Sequence, residues 1–170
     1  MKAPLTITTV NTVETKKLGV FFAETISEGS KKNQNALVIS LEGDLGSGKT
    51  TFTQGFAEEL GIKEKIQSPT FVILKIYNLP KPACRQAGPL LRKEEKTRKI
   101  NYHRYFIHID AYRIGAQDLQ MLRWKELVAD PKNIILVEWG DRIKKILPKG
   151  SMHVIFKHLK GDQRRILFKQ

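Results

Sequence analysis

The chain has 170 residues, a single cysteine and a formal net charge of +13, from 30 Lys and Arg against 17 Asp and Glu. That length can bury a core without disulfides or a structural metal, and Cys84 has no cysteine partner, which argues against disulfide and metal-cluster chemistry. No run approaches the ~18 apolar residues of a spanning helix and residues 1–17 lack a signal-like apolar core, so one cytoplasmic domain without membrane association is expected; the charge favours polyanionic partners, whether RNA or an acidic protein surface.

In chain order, Leu5, Ile7 and Val10 mark a short β-like segment rich in threonine. Asn11, with Glu14 three residues on, reads as a capping box, an acceptor at the helix start with a carboxylate returning the bond. Leu18, Phe21, Phe22 and Ile26 stripe the helix that follows, and residues 28–33 end it in a polar loop. Residues 36–41 are apolar and β-branched, as a buried strand is.

That strand runs into Gly43, Asp44, Leu45, Gly46, Ser47, Gly48, Lys49, Thr50 and Thr51. A glycine, four residues and then Gly-Lys-Thr is the phosphate-binding loop pattern. Glycines let consecutive N–H groups turn inward at the positive end of a helix, lysine adds a mobile charge for the outer phosphates, and the threonine hydroxyl suits Mg²⁺. Phe52, Phe56 and Leu60 recur at four-residue steps, and Gly61 sits where that helix would stop.

Pro69 bends the chain before a strand expected over 71–77, which places Ser68 and Thr70 on a loop. In a nucleotide-binding domain such hydroxyls can meet the metal or the γ-phosphate; an ordinary turn is the alternative. Residues 79–104 carry eight Lys and Arg against two Glu, with Pro80, Pro82 and Pro89. They read as a long, basic, flexible insert in a hairpin connection, either an electrostatic arm for RNA or protein or a tolerated insertion.

Residues 105–110 form a strand-like run ending in Asp110, and residues 134–138 a continuous apolar run ending in Glu138. Interior parallel strands are covered on both faces and end near the nucleotide crevice, so Glu138 is placed at the metal with Asp110 a second acid beside it. His108 alternates with Ile107 and Ile109 and is assigned to structure. Arg113 could reach phosphate or pair with an acid, Trp124 is packing, and Trp139 is close enough to Glu138 to wall the site. A helical region over 117–128, another over 141–146 and a hairpin of strands 152–159 and 164–168, turned at Gly161-Asp162, complete the chain. The alternation implies a three-layer α/β domain like a P-loop NTPase, its central mixed sheet parallel in the middle and antiparallel at the edges. No Asn-Lys-x-Asp run occurs, which disfavours guanine.

Gly43 to Phe52, then Ser68-Pro69-Thr70-Phe71, His108-Ile109-Asp110-Ala111-Tyr112-Arg113 and Leu136-Val137-Glu138-Trp139-Gly140 follow one another in an order that resembles the TsaE (YjeE) family. These are small bacterial P-loop ATPases required, with TsaB and TsaD, for threonylcarbamoyladenosine modification of tRNA position 37. The resemblance implies ATP and Mg²⁺ as cofactors, TsaB and TsaD counterparts as partners, and possible tRNA contact through the basic surface. It implies that Lys49 and the loop amides from Gly43 to Thr51 hold phosphates and that Thr50 and Glu138 bind Mg²⁺. Asp110 would contribute at the metal or position water, and Thr70 would respond to the nucleotide. Lys49, Asp110 and Glu138 are then the catalytic set. The 79–104 insert is longer than the family pattern leads one to expect. Two other functions fit the residues alone: a P-loop kinase of small molecules, and a basic RNA-binding module with a vestigial nucleotide site.

Overall fold

The fold is described from a computed structural model of the chain, which covers residues 4–29, 34–69, 73–80 and 103–169. Thr70 and most of the basic insert, residues 81–102, lie outside the described residues, as do Phe71 and Val72 of the expected strand.

Seven strands form one sheet: β1 (Leu5–Thr9), β2 (Leu37–Glu42), β3 (Leu74–Asn78), β4 (Tyr105–Asp110), β5 (Asn133–Glu138), β6 (Met152–His158) and β7 (Arg164–Lys169). Their order across the sheet is β1-β7-β6-β2-β5-β4-β3. β6, β2, β5 and β4 are mutually parallel, while β1, β7 and β3 pair antiparallel. The expected mixed sheet, parallel in the middle and antiparallel at its edges, is therefore the one observed. β5 is buried at every position, which is why its sequence is a continuous apolar run: a central parallel strand has no solvent face to mark with polar residues.

The strand period of two divides the core into two layers. Ile39, Leu41, Ile134, Leu136 and Phe106 pack on one face against Phe52 and Phe56 of the helix after β2 and Phe22 of the first helix. Val38, Ile107, Ile109, Ile135 and Val137 pack on the other against Leu119, Trp124 and Ile143. The helices of the first face are α1 (Thr12–Gly29) and α2 (Lys49–Glu59); those of the second are α3 (Ala116–Met121), α4 (Trp124–Ala129) and a 3-10 stretch, Gly140–Ile146.

Three local outcomes bear on the sequence reading. α1 starts as expected: Asn11 Oδ1 accepts the Glu14 amide at 2.8 Å and Glu14 Oε2 accepts the Val10 amide at 2.9 Å. The single helix expected over 117–128 is instead two, broken at Arg123, whose φ of +60° is left-handed. Leu119 and Trp124 are both buried, and five residues along a continuous helix would set them about 140° apart; the break turns both toward the sheet. The ends of the basic insert are pinned together, since the Leu79 amide donates to Arg104 O at 2.9 Å across the β3–β4 hairpin.

α1 and α2 touch at two glycines. A Cβ on Gly19 would lie 2.2 Å from Phe52 O, and one on Gly55 would lie 1.9 Å from Lys16 O. Both obstacles are backbone, so a side chain there can be accommodated only by moving a helix. Gly55→Ala should therefore lower stability by about 1–3 kcal/mol through overpacking, although alanine is the better helix former by about 1 kcal/mol. Urea unfolding checks this: the midpoint falls with unchanged slope, whereas a raised midpoint would show that the helix contact tolerates a methyl.

Candidate functional site

The glycine loop is held from behind by the sheet. Gly43 (φ +130°) backs onto β6, where a Cβ would lie 2.2 Å from Phe156 O, and Gly48 (φ +101°) lies under Arg164 of β7, whose side chain would be 2.9 Å from a Cβ. Both the positive φ and the lack of space require glycine at these positions. Gly48 is the residue at which α2 starts, and the Phe52 amide donates to its carbonyl at 2.9 Å. The amides of the first turn of α2 precede any intrahelical partner, and with the helix dipole they make the loop interior an anion site. Leu45 stands at the tip, 80% exposed.

The Lys49 ammonium is held within this loop. Nζ donates to Gly43 O at 2.7 Å and Asp44 O at 2.8 Å, and it lies 3.7 Å from the centroid of the Trp139 ring. Ser47 Oγ is 3.5 Å away. Burial lowers the Lys49 pKa below the ordinary lysine value, against the opposing pull of Glu138, Asp141, Asp110 and Asp44. Loss of water therefore outweighs four carboxylates at this nitrogen.

The two acids end neighbouring strands in register, Asp110 opposite Glu138. Glu138 is almost fully buried, and all its side-chain partners donate. Thr50 Oγ1 donates to Oε2 at 2.8 Å; on Oε1, Thr53 Oγ1 lies at 3.3 Å and His108 Nε2 at 2.9 Å. Asp110 is engaged differently: Oδ1 accepts the Tyr112 amide at 2.9 Å and Oδ2 accepts the Ser68 hydroxyl. The structure thus gathers Lys49, Thr50 and Glu138 around the loop, and ties Asp110 to the Ser68-Pro69 segment that leads to Thr70. Thr51 follows on the first turn of α2, half-buried.

Two features of the site were missed in the sequence. His108, assigned there to structure alone, is fully buried and contacts Glu138 directly. The strand period contained the signal: Phe106, His108 and Asp110 share a face, so the histidine points to the side that carries the acids. Arg142 of the 3-10 stretch was also not anticipated. Its guanidinium lies 4.9 Å from the Tyr112 ring and 5.6 Å from that of Trp139, and Nη1 donates to Tyr112 O at 2.6 Å. Tyr112 and Trp139 have ring centroids 4.9 Å apart, so Trp139 does wall the site, with Tyr112 and a cation behind it.

The donors present suit Mg²⁺. Among the described residues no group of three or more His, Cys, Asp or Glu could chelate a metal. A hydroxyl and one carboxylate, both hard oxygens, leave the remaining positions to water and phosphate, as Mg²⁺ prefers. Two cavities, of about 390 and 700 Å³, are lined respectively by residues around Trp124 and Pro148 and by residues around Glu58 and Lys65; the phosphate loop lines neither. No helix among the described residues is long and apolar enough to cross a membrane.

Comparison with known proteins points to one family. The sequence model of a family described as "Threonylcarbamoyl adenosine biosynthesis protein TsaE" matches residues 9–90 and 93–166. The tRNA threonylcarbamoyladenosine biosynthesis protein TsaE of Bacillus subtilis is 34% identical over 165 residues, covering 94% of this chain and 82% of that protein. Its namesake from Treponema pallidum is 29% identical, covering 90% and 91%. The crystal structure of Bacillus subtilis YdiB superposes with a TM-score of 0.65 at 32% identity, over 99% of this chain and 86% of that one.

The lowered Lys49 pKa has a consequence for stability. The proton binds more weakly in the folded chain than in the unfolded one, so stability rises with pH between the folded value and the ordinary 10.5. Below the folded value the cost of burying the charge is fully present. In thermal unfolding without nucleotide, Lys49→Met should lack this alkaline rise relative to wild type; equal pH profiles for the two proteins would contradict the assignment.

Proposed function

The chain belongs to the TsaE family of tRNA threonylcarbamoyladenosine biosynthesis proteins, and on that premise we propose that it is a Mg²⁺-dependent ATPase serving the complex that modifies tRNA position 37. The observation that carries this reading is the hydrogen bond from Thr50, the hydroxyl of the phosphate loop, to the buried Glu138 carboxylate. A loop that only bound phosphate would have no need of a charged carboxylate on that hydroxyl, because burying the charge costs several kcal/mol unless it serves a partner.

In this reading the loop amides and Lys49 hold the β- and γ-phosphates, and Lys49 exchanges its carbonyl partners for phosphate oxygens. Thr50 and Glu138 hold Mg²⁺, which when bound neutralises developing charge on the phosphates. Asp110, through Ser68, sets the position of the segment that carries Thr70, and so links the nucleotide to a loop able to respond to it. Trp139, backed by Tyr112, shields Lys49 from water on one side, which strengthens its field at the phosphates. The products are ADP and phosphate, and the chain performs no chemistry on tRNA. TsaB and TsaD counterparts in the cytoplasm are the proposed partners, and the basic surface, with the 79–104 insert, is the proposed region of any tRNA contact.

Turnover of ATP with Mg²⁺, alone and with TsaB and TsaD counterparts, tests the proposal. Glu138→Gln should retain metal-free nucleotide binding, weaken the Mg²⁺-dependent binding and lose about a hundredfold or more in turnover. Asp110→Asn should lose less, because it acts through the Ser68 segment. Hydrolysis without any added acceptor separates an ATPase from a small-molecule kinase. Absence of hydrolysis by wild type beside competent partners, or full activity in Glu138→Gln, would contradict it.

A further inference from the structure

The partners of Glu138 are unevenly shared between its two oxygens. Oε1 faces two donors, His108 Nε2 at 2.9 Å and Thr53 Oγ1 at 3.3 Å, while Oε2 has one, Thr50 Oγ1 at 2.8 Å. Thr53 is itself tied back to Lys49 O at 3.0 Å, one turn earlier on α2, so its hydroxyl proton is shared. His108 is the strong, undivided contact on that side.

The ring also has a defined tautomer. An ionised carboxylate can only accept, so the Nε2 that faces Oε1 at 2.9 Å carries the ring proton, and Nδ1, buried without a hydrogen-bond partner, offers that proton no competing acceptor. The imidazole lies near-parallel to the Phe106 ring, centroids 6.3 Å apart and 22° between planes, and none of its surface is exposed. Packing therefore fixes the ring, and the ring fixes the carboxylate.

From this geometry we propose that His108 is the positioning residue of the metal site: its Nε2–H holds Oε1 of Glu138 so that Oε2, beside the Thr50 hydroxyl, is the oxygen presented to Mg²⁺. The proposal rests on the reading of the site as one for a Mg²⁺ nucleotide, and deepens it. A carboxylate without this contact would rotate about its terminal bond, and a cation that needs near-ideal octahedral geometry would meet two interchanging oxygens. Partners of this outer kind alter metal affinity by about 10–100-fold when removed. His108 does not touch the nucleotide, so its effect falls on the metal and leaves metal-free binding alone.

Two substitutions with the same polar group and different reach test this. Glutamine carries its amide nitrogen out to about where Nε2 lies; asparagine stops near Nδ1. ADP binding is measured by calorimetry in EDTA and then across a Mg²⁺ titration, for wild type, His108→Gln and His108→Asn. His108→Asn should raise the half-saturating Mg²⁺ concentration by about 10–100-fold with ADP affinity in EDTA unchanged, and His108→Gln should restore it to within about threefold of wild type. Three results overturn the proposal: His108→Asn matching wild type, both variants impaired alike, or ADP binding in EDTA falling as far as binding with Mg²⁺. If asparagine unfolds the chain, His108→Phe, which keeps a ring beside Phe106 and removes the donor to Oε1, replaces it; a half-saturating concentration raised by about 10–100-fold supports the assignment and an unchanged one overturns it. Wild type binding no ADP under either condition would remove the nucleotide reading and this proposal with it. Metal-dependent binding in wild type that is insensitive to residue 108 removes this proposal alone.

Discussion

A carboxylate buried at the centre of a sheet is the constraint on which the rest of this site depends. Glu138 ends β5, the strand buried at every position, and an ionised group at that depth must be supplied with donors. Two elements supply them: α2 gives Thr50 and Thr53, and β4 gives His108. Each of these elements is where it is for packing reasons. The aromatic cluster of Phe52, Phe56, Phe22 and Phe156 presses α2 and α1 onto the sheet, and the parallel register of β4 on β5 sets His108 beside the acid. The polar site is thus a by-product of apolar contacts made two residues away on the same strand faces, by Phe106 and Leu136.

The phosphate loop depends on the same sheet from the other side. Two of its three positive-φ glycines, Gly43 and Gly48, lie against β6 and β7, strands that carry no motif of their own and read as scaffold. Their role is to fix the backbone so that its amides face inward. Lys49 then sits in a partly dry place whose desolvation exceeds the pull of the surrounding acids, a state that favours exchange of its backbone partners for a polyanion. Behind the loop, β2 ends in Glu42, which pairs with His153 at 2.6 Å and accepts from Ser40 at 3.0 Å, so the strand end that launches the loop is itself tied to β6.

The elements that carry a strong period or a stereochemical requirement were legible in the sequence. The loop, the strands that end in Asp110 and Glu138, the capping box at Asn11 and the mixed sheet all follow from local pattern. What was not legible depends on tertiary contact. The break at Arg123 follows from two buried residues, Leu119 and Trp124, that no single helix face could bury together. The contact of His108 with Glu138 needs the register between β4 and β5, which one sequence does not state, although the face of His108 could have been counted. Arg142 joined the site because a 3-10 stretch turned it back over Tyr112, and nothing in its spacing announced that. Strand pattern alone put Glu138 on the metal side with Asp110 a second acid beside it, without saying what either touches; in the fold Glu138 meets the loop threonine, whereas Asp110 meets Ser68.

The central claim is that Thr50 and Glu138 act as one cation-holding unit. A double-mutant cycle on Mg²⁺-dependent ADP binding, with Thr50→Val, Glu138→Gln and the pair together, measures it most directly. The account predicts that the double variant binds Mg²⁺-ADP about as weakly as either single one. Losses that simply add would show two independent residues and contradict it.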